Sequence, residues 1–327
     1  MEIGKVLVVG SGSAGQRHYS YACKQFPESE VYCLSKNNAQ IFAKNTFDNY
    51  LDAKNFCADL IVIANASVDH LFSIESLLSE TAHYVIEKPF SSGPVNKEVV
   101  KKLSSVVENR VLVAYQLRFS QSLNRMKSEL NSGRIGKVLF GTLNVGQYLP
   151  DWRVDSDYRT GVSARRELGG GVLNELSHEV DLMFWLFGTP VLLDSQIHKR
   201  SKMDLDVEDF VMLSTLQRDQ KYSDSWPLSL RLDMIRRDPM RIAEIVGEHG
   251  TLKWDGLLGT LSYFDPSFRE WELLLKDDSS PHDLLWKNIA DFVQVGSHKG
   301  ASLEDGINVT EFIDKIWRAN NFQVEGL

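Results

Sequence analysis

Two short segments of this 327-residue chain contain residues that can exchange protons. In each, the neighbouring sequence indicates where those residues lie. In the first, Glu87–Lys88–Pro89 directly follows the apolar run His83–Ile86, so the lysine lies at the end of a predicted strand. Pro89 fixes its own φ and biases Lys88 toward extended backbone. A lysine held there can hydrogen-bond a substrate hydroxyl and help to move its proton. The alternative is a solvated lysine beside an ordinary proline turn.

The second segment begins at Gly169–Gly170–Gly171 and continues as a predicted helix. A helical wheel gives it one apolar stripe and puts Glu175 and His178 together on the opposite face. Histidine exchanges a proton near neutral pH, and a carboxylate one turn away can orient it. The alternative is an exposed face with an incidental ion pair. No metal is predicted, because His178 with Glu175 or Glu179 supplies too few ligands. The stripe consists of Leu173, Leu176, Val180, Met183, Phe184 and Phe187.

A glycine-rich turn near the start of the chain indicates which kind of cofactor these residues work with. The strand-like run Lys5–Val9 ends in Gly-x-Gly-x-x-Gly and passes into a helix-compatible stretch, Gln16–Phe26. That order is typical of a dinucleotide-binding βαβ unit. Gly10 permits the tight turn, Gly12 lets a pyrophosphate approach, and Gly15 lets the helix pack on the sheet. Together with Ser13 and Ala14 at the helix start, these glycines are predicted to bind the phosphates.

The acidic residue that usually binds the ribose of NAD is missing from its expected place. It normally lies about twenty residues beyond the glycines, and here that region reads Leu34–Ser35–Lys36–Asn37–Asn38. Ser35, Lys36 and the nearby Arg17 could accept a 2′-phosphate, which favours NADP. The alternative is that Ser35 or Asn37 hydrogen-bonds the unphosphorylated ribose of NAD.

The segment before the three glycines is a candidate substrate loop. It contains two aromatic and four basic side chains, at Trp152, Arg153, Asp157–Tyr158–Arg159 and Arg165–Arg166. Such a loop suits a polyhydroxylated or phosphate-bearing ligand. The alternative is a solvated loop whose arginines pair with the surplus acidic residues.

The elements that position these residues divide at about residue 120. Before it, predicted buried strands alternate with helices, which indicates a doubly wound parallel sheet with its ligand at the carboxyl ends of the strands. We expect these strands at Val6–Val9, Val31–Leu34, Leu60–Ile63, Tyr84–Ile86 and Val111–Ala114, and helices near Gly15–Phe26, Val68–Ser79 and Val95–Val107.

After that boundary the pattern predicts an α/β domain with a large, mostly antiparallel open sheet. The expected domains are therefore residues 1–120 for the dinucleotide and 121–327 for substrate binding and oligomerisation. The strand-like runs are Val138–Gln147, Val191–Lys199, Phe210–Gln217, Leu228–Met234 and Ile242–Val246, with helices at Ser120–Ser132, Gly171–Phe187 and Leu303–Asn320.

Composition excludes several classes of partner. The formal charge of −8, with no basic cluster, argues against binding to nucleic acid or an anionic membrane. No apolar stretch reaches the ~20 residues that cross a bilayer, and the N-terminus lacks a signal-peptide layout. The three cysteines form neither a disulfide framework nor a metal motif. We therefore expect a cytoplasmic protein.

Four motifs, in order, resemble the glucose–fructose oxidoreductase/inositol dehydrogenase (Gfo/Idh/MocA) family. They are Ile63–Ala64–Asn65–Ala66 followed by His70; Glu87–Lys88–Pro89; Tyr115–Gln116–Leu117–Arg118–Phe119; and Gly169–Gly171 through His178 to Asp181 and Trp185–Gly188. The resemblance implies a Rossmann domain followed by an α/β domain whose open sheet commonly mediates dimers or tetramers. It also implies hydride transfer between a nicotinamide and a carbon bearing a hydroxyl or carbonyl, usually on a sugar or cyclitol.

The resemblance also implies residue roles. Lys88 would contact substrate and nicotinamide, and His178, supported by Glu175, would be the acid/base. The cofactor would be lined by Asn65, His70, Glu87 and Gln116 besides the glycine turn, Ser35 and Lys36. The candidate substrate contacts are Arg118, Trp152, Arg153, Tyr158 and Arg165.

This sequence departs from the family pattern around the acid/base residue. Glu175 stands where Asp is usual, and two residues rather than three separate it from His178. The loop Gly146–Pro150 with Glu-Leu-Ser-His resembles members from surface-polysaccharide and nonulosonate gene clusters. An amino or nucleotide sugar is therefore favoured over inositol. A cyclitol dehydrogenase, and a non-catalytic protein that binds the dinucleotide for regulation, are the alternatives.

Overall fold

The computed structural model describes residues 3–36, 42–95, 97–152, 156–219 and 221–320. The chain forms two compact units, one of Met1–Gln116 with His282–Glu311 and the other of Leu117–Pro281 with Phe312–Leu327. The first break lies close to the expected boundary. A single boundary along the chain could not anticipate that residues 282–311 group with the first unit, because that grouping depends on contacts distant in sequence.

The helices include the predicted ones, with differences in three places. They are α1 (Ser13–Gln25), α2 (Tyr50–Asn55), α3 (His70–Ser76), α4 (Lys97–Val107), α5 (Gln121–Ser132), α6 (Val172–Glu175), α7 (Ser177–Phe187), α8 (Pro281–Val295) and α9 (Leu303–Ala319). Neither α2 nor α8 was predicted from sequence, and α6 and α7 replace one expected helix. Of the helices that the structure describes, none is both long and apolar enough to cross a membrane.

The first unit contains a six-stranded sheet in which all the described pairings are parallel. Its spatial order is β3-β2-β1-β4-β5-β6, the arrangement of a Rossmann fold. This confirms the doubly wound prediction. The strands are β1 (Lys5–Val9), β2 (Glu30–Leu34), β3 (Thr46–Phe47), β4 (Leu60–Ile63), β5 (His83–Ile86) and β6 (Val111–Val113). Only the two-residue β3 was missed, since so short a strand has no periodicity.

The close packing of α1 on β1 depends on two glycines. Gly10 has a φ of +109°, and a Cβ there would lie 2.6 Å from the Ala64 carbonyl oxygen. At Gly15 a Cβ would lie only 2.0 Å from the Gly10 carbonyl oxygen. The glycine spacing therefore lets the helix start directly against the end of the strand, as the sequence predicted.

The second unit contains an eight-stranded sheet in the order β14-β13-β12-β11-β7-β10-β9-β8. Among the described strands only β7 and β10 pair in parallel, so the predicted mostly antiparallel sheet is confirmed. The strands are β7 (Val138–Gly146), β8 (Val191–His198), β9 (Phe210–Asp219), β10 (Asp224–Asp233), β11 (Met240–Gly247), β12 (Gly250–Asp255), β13 (Thr260–Asp265) and β14 (Glu270–Lys276). The last three were not predicted because they are short and mix polar with apolar residues.

The expected single helix over Gly171–Phe187 is wrong, because the backbone breaks at Leu176. That residue has φ −102° and ψ 26° and separates α6 from α7. The predicted one-sided apolar stripe is also wrong. Between Val172 and Met183 every side chain is buried except that of Glu175, which is half-buried. Polar residues here are thus inside the protein, where they need partners.

Substitution of two glycines tests the packing of α1. Gly15→Ala should lower the free energy of unfolding by about 1–3 kcal/mol, because its Cβ meets a backbone oxygen that cannot move aside. Gly12→Ala is the matched control: at Gly12 no atom of the described residues lies within 4 Å of a Cβ, so stability should change little. Urea unfolding measures both. Equal losses in the two variants would contradict this account of Gly15.

Candidate functional site

Three neighbouring strands of the first unit end at the residues that the sequence singled out. Gly10 follows β1, Ala64–Asn65 follows β4, and Glu87–Lys88 follows β5. The sheet order β2-β1-β4-β5 puts these ends side by side at one edge. In open parallel sheets, ligands bind beside the carboxyl ends of the strands, at the point where the strand order reverses. Here that point lies at β1.

The start of α1 fits a pyrophosphate. Gly12 is exposed, and the space that a Cβ would take there is open to the described surroundings. Ser13 is exposed and Ala14 half-buried, and the first turn of the thirteen-residue helix contains no acidic residue. The first N–H groups of a helix have no partner within it and carry partial positive charge. Open space and free donors of this kind are what a phosphate needs.

The end of β2 lies beside the glycine turn, but Arg17 has another partner. The hydroxyls of Ser11 and Ser35 are 2.8 Å apart, and Lys36 is exposed. The Arg17 guanidinium instead lies 3.3 Å from a Glu87 carboxylate oxygen. This ion pair with Glu87 does not favour the suggested contact of Arg17 with a 2′-phosphate, which stays a prediction. Asn37 lies outside the described residues.

A buried carboxylate fixes the backbone at Lys88. Glu87 accepts a hydrogen bond from His18 Nε2 at 2.9 Å and one from the Lys88 N–H at 3.1 Å. Burial alone would raise the pKa of the Glu87 carboxyl. The hydrogen bond from His18 and the charges of His18, Arg17 and Lys88 outweigh burial, so this pKa lies below its ordinary value. Glu87 is therefore ionised and faces α1, while its own backbone leads into the half-buried Lys88.

His18 is a residue that the sequence analysis missed. It is fully buried on α1, and its ring lies 5.6 Å from that of Trp286 on α8. A signal was present in the sequence, because residues three apart share a helix face and Gly15 marks the face that packs on the sheet. His18 supports Glu87 and, through it, the position of Lys88.

His70 links the loops that follow β4 and β5. It is buried, and its Nδ1 and Nε2 lie 3.0 Å from the Pro89 carbonyl oxygen and 3.2 Å from that of Asn65. Burial lowers the pKa of His70. The Asn65 amide donates to Ser73 Oγ at 2.9 Å, and the half-buried Gln116 follows β6. His70 thus contacts the backbone of Asn65, a candidate cofactor residue, and that of Pro89, which follows Lys88. Direct contact of any of these side chains with a cofactor stays a prediction.

In the second unit, His178 occupies the first turn of α7 and is 5% exposed. The alternative of an exposed helix face is therefore wrong. Glu175, at the end of α6, is half-buried. Two ion pairs hold the same helix: Glu179 Oε1 lies 2.7 Å from Nε of the half-buried Arg241, and the buried Asp181 is paired with Arg118.

Arg118 is the buried partner of Asp181. Its guanidinium is buried and donates to both oxygens of Asp181, through Nη2 at 2.6 Å and through Nε at 3.0 and 3.1 Å. A guanidinium bound to a carboxylate through two nitrogens makes strong charge-assisted hydrogen bonds. Whether Arg118 also contacts substrate stays a prediction.

The structure brings two residues of the candidate substrate loop together in one cleft. Trp152 and Tyr158 line one cleft together with Leu149, Ser156, Asp157, Gly161 and Ser163. Arg165 points elsewhere, to the Arg159 carbonyl and to Asp204 at 3.4 Å. Arg153 lies outside the described residues. Among the parts of the chain that are described, no three His, Cys, Asp or Glu side chains group as metal ligands.

Glu208 is a second residue that the sequence analysis missed. It is 1% exposed, and its Oε1 accepts the Leu173 N–H at 3.1 Å, at the start of α6. Burial raises the pKa of Glu208 to about 7, although the Leu173 N–H and the charge of Arg166 act in the opposite direction. No sequence pattern marks this residue, because its partner lies 35 positions away.

Comparison with known families identifies the protein class. Residues 127–323, more than half of the chain, match the model of the oxidoreductase family C-terminal alpha/beta domain of Gfo/Idh/MocA proteins. The chain belongs to the Gfo/Idh/MocA oxidoreductase family. The inositol 2-dehydrogenase/D-chiro-inositol 3-dehydrogenase of Lacticaseibacillus casei is 22% identical over 193 residues, which cover 56% of this chain and 52% of that protein. The chain spans about half the length of the curated relatives that it matches, at 40%, 58% and 52%.

Solved structures of two dehydrogenases share the fold. The WlbA dehydrogenase from Bordetella pertussis, in complex with NADH and UDP-GlcNAcA, is 20% identical and aligns over 98% of this chain and 97% of its own with a TM-score of 0.76. A levoglucosan dehydrogenase, in complex with NADH and levoglucosan, is 18% identical and aligns over 97% of both chains with a TM-score of 0.78. At these identities the comparison shows that the fold is common.

The structural assignment of Arg118 predicts a stability effect. Arg118→Ala should lower the free energy of unfolding by about 3–5 kcal/mol, because it leaves the Asp181 charge buried without its partner. The double variant Arg118→Met/Asp181→Leu removes both charges and should cost less than the single one. Urea unfolding measures each. A loss below about 1 kcal/mol for Arg118→Ala would show that the pair does not hold α7.

Proposed function

We propose that the chain is an NAD(P)-dependent oxidoreductase that transfers hydride between nicotinamide and a hydroxyl-bearing carbon of a sugar. The observation that carries the proposal lies in the first unit. The carboxyl edge of the sheet offers an open phosphate cradle at Gly12 and, two strands from β1, a lysine whose backbone is fixed by the buried Glu87. Membership of an oxidoreductase family supports the same class of reaction.

Each candidate residue has a distinct task in this proposal. The bound nicotinamide supplies the hydride acceptor or donor. The Lys88 ammonium hydrogen-bonds the oxygen of the reacting carbon and stabilises negative charge there. His178 takes the hydroxyl proton in oxidation and returns it in reduction, with Glu175 supporting its charged form. A nearly buried histidine suits this task, since water does not compete for the proton.

The cofactor is proposed to bind along the edge of the first sheet. Gly10, Gly12, Ser13, Ala14 and Gly15 would hold the pyrophosphate, and Ser35 with Lys36 would hold the adenosine ribose. NADP is favoured, because Lys36 is exposed and no acidic residue follows β2 where a 2′-phosphate would be repelled. Ser35 lies within hydrogen-bond distance of Ser11 and could equally bind the diol of NAD.

The substrate is proposed to be an amino or nucleotide sugar. Two aromatic side chains, Trp152 and Tyr158, line a cleft with serine hydroxyls, and such faces stack on sugar rings while hydroxyls bond to them. The relative solved with UDP-GlcNAcA supports a nucleotide sugar. The inositol dehydrogenase relative favours a cyclitol as the second candidate. A purely regulatory role is disfavoured, because both Lys88 and His178 are present.

Self-association through the second sheet belongs to the same proposal. Large apolar side chains are exposed on β7, β8, β9 and β14, namely Leu139, Phe140, Leu193, Met212 and Leu273. Exposed apolar side chains on a sheet favour a partner of the same kind, in a homodimer or homotetramer.

A substrate panel tests the proposed activity. Amino sugars, nucleotide sugars, unmodified sugars and cyclitols are offered with NAD and with NADP, and the nicotinamide absorbance is followed. We expect turnover with an amino or nucleotide sugar and a higher kcat/KM with NADP. Lys36→Ala should reduce the NADP preference while NAD-dependent turnover stays the same. The absence of turnover from every member, despite measurable dinucleotide binding, would refute the enzyme hypothesis.

Substitution of Lys88 and His178 separates chemistry from binding. Lys88→Met and His178→Asn should each lower kcat by at least about 100-fold, because each removes a group that acts in the transition state. Dinucleotide affinity, measured by calorimetry, should fall less than about tenfold. Lys101→Met, in α4, is the matched control and should keep full activity. Either variant with kcat close to that of the unmodified protein would show that its residue does not act in the reaction.

A further inference from the structure

The start of α6 is held from outside by one buried glutamate. The Val172 N–H donates to the Glu208 carbonyl oxygen at 3.2 Å, and the Leu173 N–H donates to Glu208 Oε1 at 3.1 Å. These N–H groups belong to the first two residues of the helix and so find no acceptor within it. Glu208 therefore satisfies both, one with its backbone and one with its side chain.

The carboxyl group also occupies the space beside the third glycine. Gly171 has a φ of +107°, and a Cβ there would lie 2.6 and 2.7 Å from the two Glu208 oxygens. The Gly171 N–H donates to the Ser163 carbonyl oxygen at 3.2 Å. A side chain at this position would displace the carboxyl group, so the glycine and the glutamate are complementary. This gives a reason for the last glycine of the run that the sequence alone did not supply.

The helix that follows cannot fix its own position. Isolated helices shorter than ~12 residues are marginal in water, and α6 has four. A second contact helps: the Asn174 amide donates to the Gly169 and Gly170 carbonyl oxygens at 3.0 and 3.3 Å. Glu175 ends α6, and His178 follows the break at Leu176. The directions of both side chains therefore depend on where the start of α6 is held.

We infer that Glu208 is a positioning residue, whose carboxyl group holds the backbone of Gly171–Leu173 and thereby sets the positions of Glu175 and His178. Glu208 acts through the backbone and takes no part in proton transfer. The inference rests on the proposed function for the roles of those two residues. The contact between the Glu208 carboxyl group and the start of α6 is a local property of the second unit, so it can be measured without turnover.

The hydrogen bond from the Leu173 N–H requires an acceptor oxygen on residue 208 and does not require a negative charge. Burial brings the pKa of Glu208 to about 7, so the group is partly protonated near neutral pH. A protonated carboxyl still presents a carbonyl oxygen to the Leu173 N–H. Glutamine presents the same oxygen at the same distance along the side chain. Alanine presents none, and aspartate is one methylene too short.

Hydrogen exchange and kinetics on the full chain test the inference. Glu208→Gln, Glu208→Asp and Glu208→Ala are compared with the exposed control Glu248→Ala, which lies in the turn between β11 and β12. Exchange of the amides in residues 171–178 is followed by mass spectrometry. The kcat and KM are measured with the substrate that the panel identifies.

We expect Glu208→Gln and Glu248→Ala to match the unmodified protein in both measurements. Glu208→Ala and Glu208→Asp should exchange the 171–178 amides at least about tenfold faster. Their kcat should fall about 100-fold with KM within about threefold, since misplacement by about 1 Å has an effect of that size. If Glu208→Ala does not fold, Glu208→Asp provides the same comparison.

Two results would overturn the inference. One is unchanged exchange and kcat in the shortened variant that folds. The other is a glutamine variant that behaves like the shortened ones, because then the charge would be required. If the unmodified protein turns over no substrate, the proposed function fails, while the exchange measurement still decides whether Glu208 holds this segment.

Discussion

The cost of burying a carboxylate shapes both units of this protein. A buried acidic side chain is tolerated only when it is paired, hydrogen-bonded or protonated, and loss of its partner costs several kcal/mol. Glu87 is satisfied by His18 and Arg17, and Asp181 by Arg118. Glu208 accepts a hydrogen bond from a backbone N–H, and its raised pKa reduces the charge that is buried. Glu87 and Glu208 each bond a backbone N–H, and Asp181 ties α7 to Arg118.

The segments that these carboxylates hold contain or adjoin the residues that are proposed to act in the reaction. Glu87 directly precedes Lys88 and bonds its N–H, while Asp181 lies one turn after His178 on α7. Glu208 holds the helix start that leads to Glu175. A side chain that must meet a reacting atom gains from such a support, because its backbone does not have to be ordered during the reaction. The buried charges therefore connect the packing of each unit to the proposed chemistry.

The sequence predicts well what depends on local pattern. The glycine turn, five strands of the first sheet and the mostly antiparallel second sheet follow from periodicity and from residues close together in the chain. The sequence could not predict pairs that are distant along it: His18 and Glu87 are 69 residues apart, and Arg118 and Asp181 are 63 apart. The pairing of Arg118 with Asp181 was missed for this reason. The break at Leu176 was missed because a helical wheel describes side-chain spacing and not the external hydrogen bonds that start and stop a short helix.

The central claim is that a hydride moves between a dinucleotide bound at the Gly10–Gly15 turn and a carbon of a sugar. The most direct test supplies the keto form of the sugar together with the reduced dinucleotide, which carries deuterium at its transferable position. Mass spectrometry then analyses the product. One deuterium on the carbinol carbon of each product molecule is the predicted result. A product without deuterium, or formed equally well without the dinucleotide, would contradict the account.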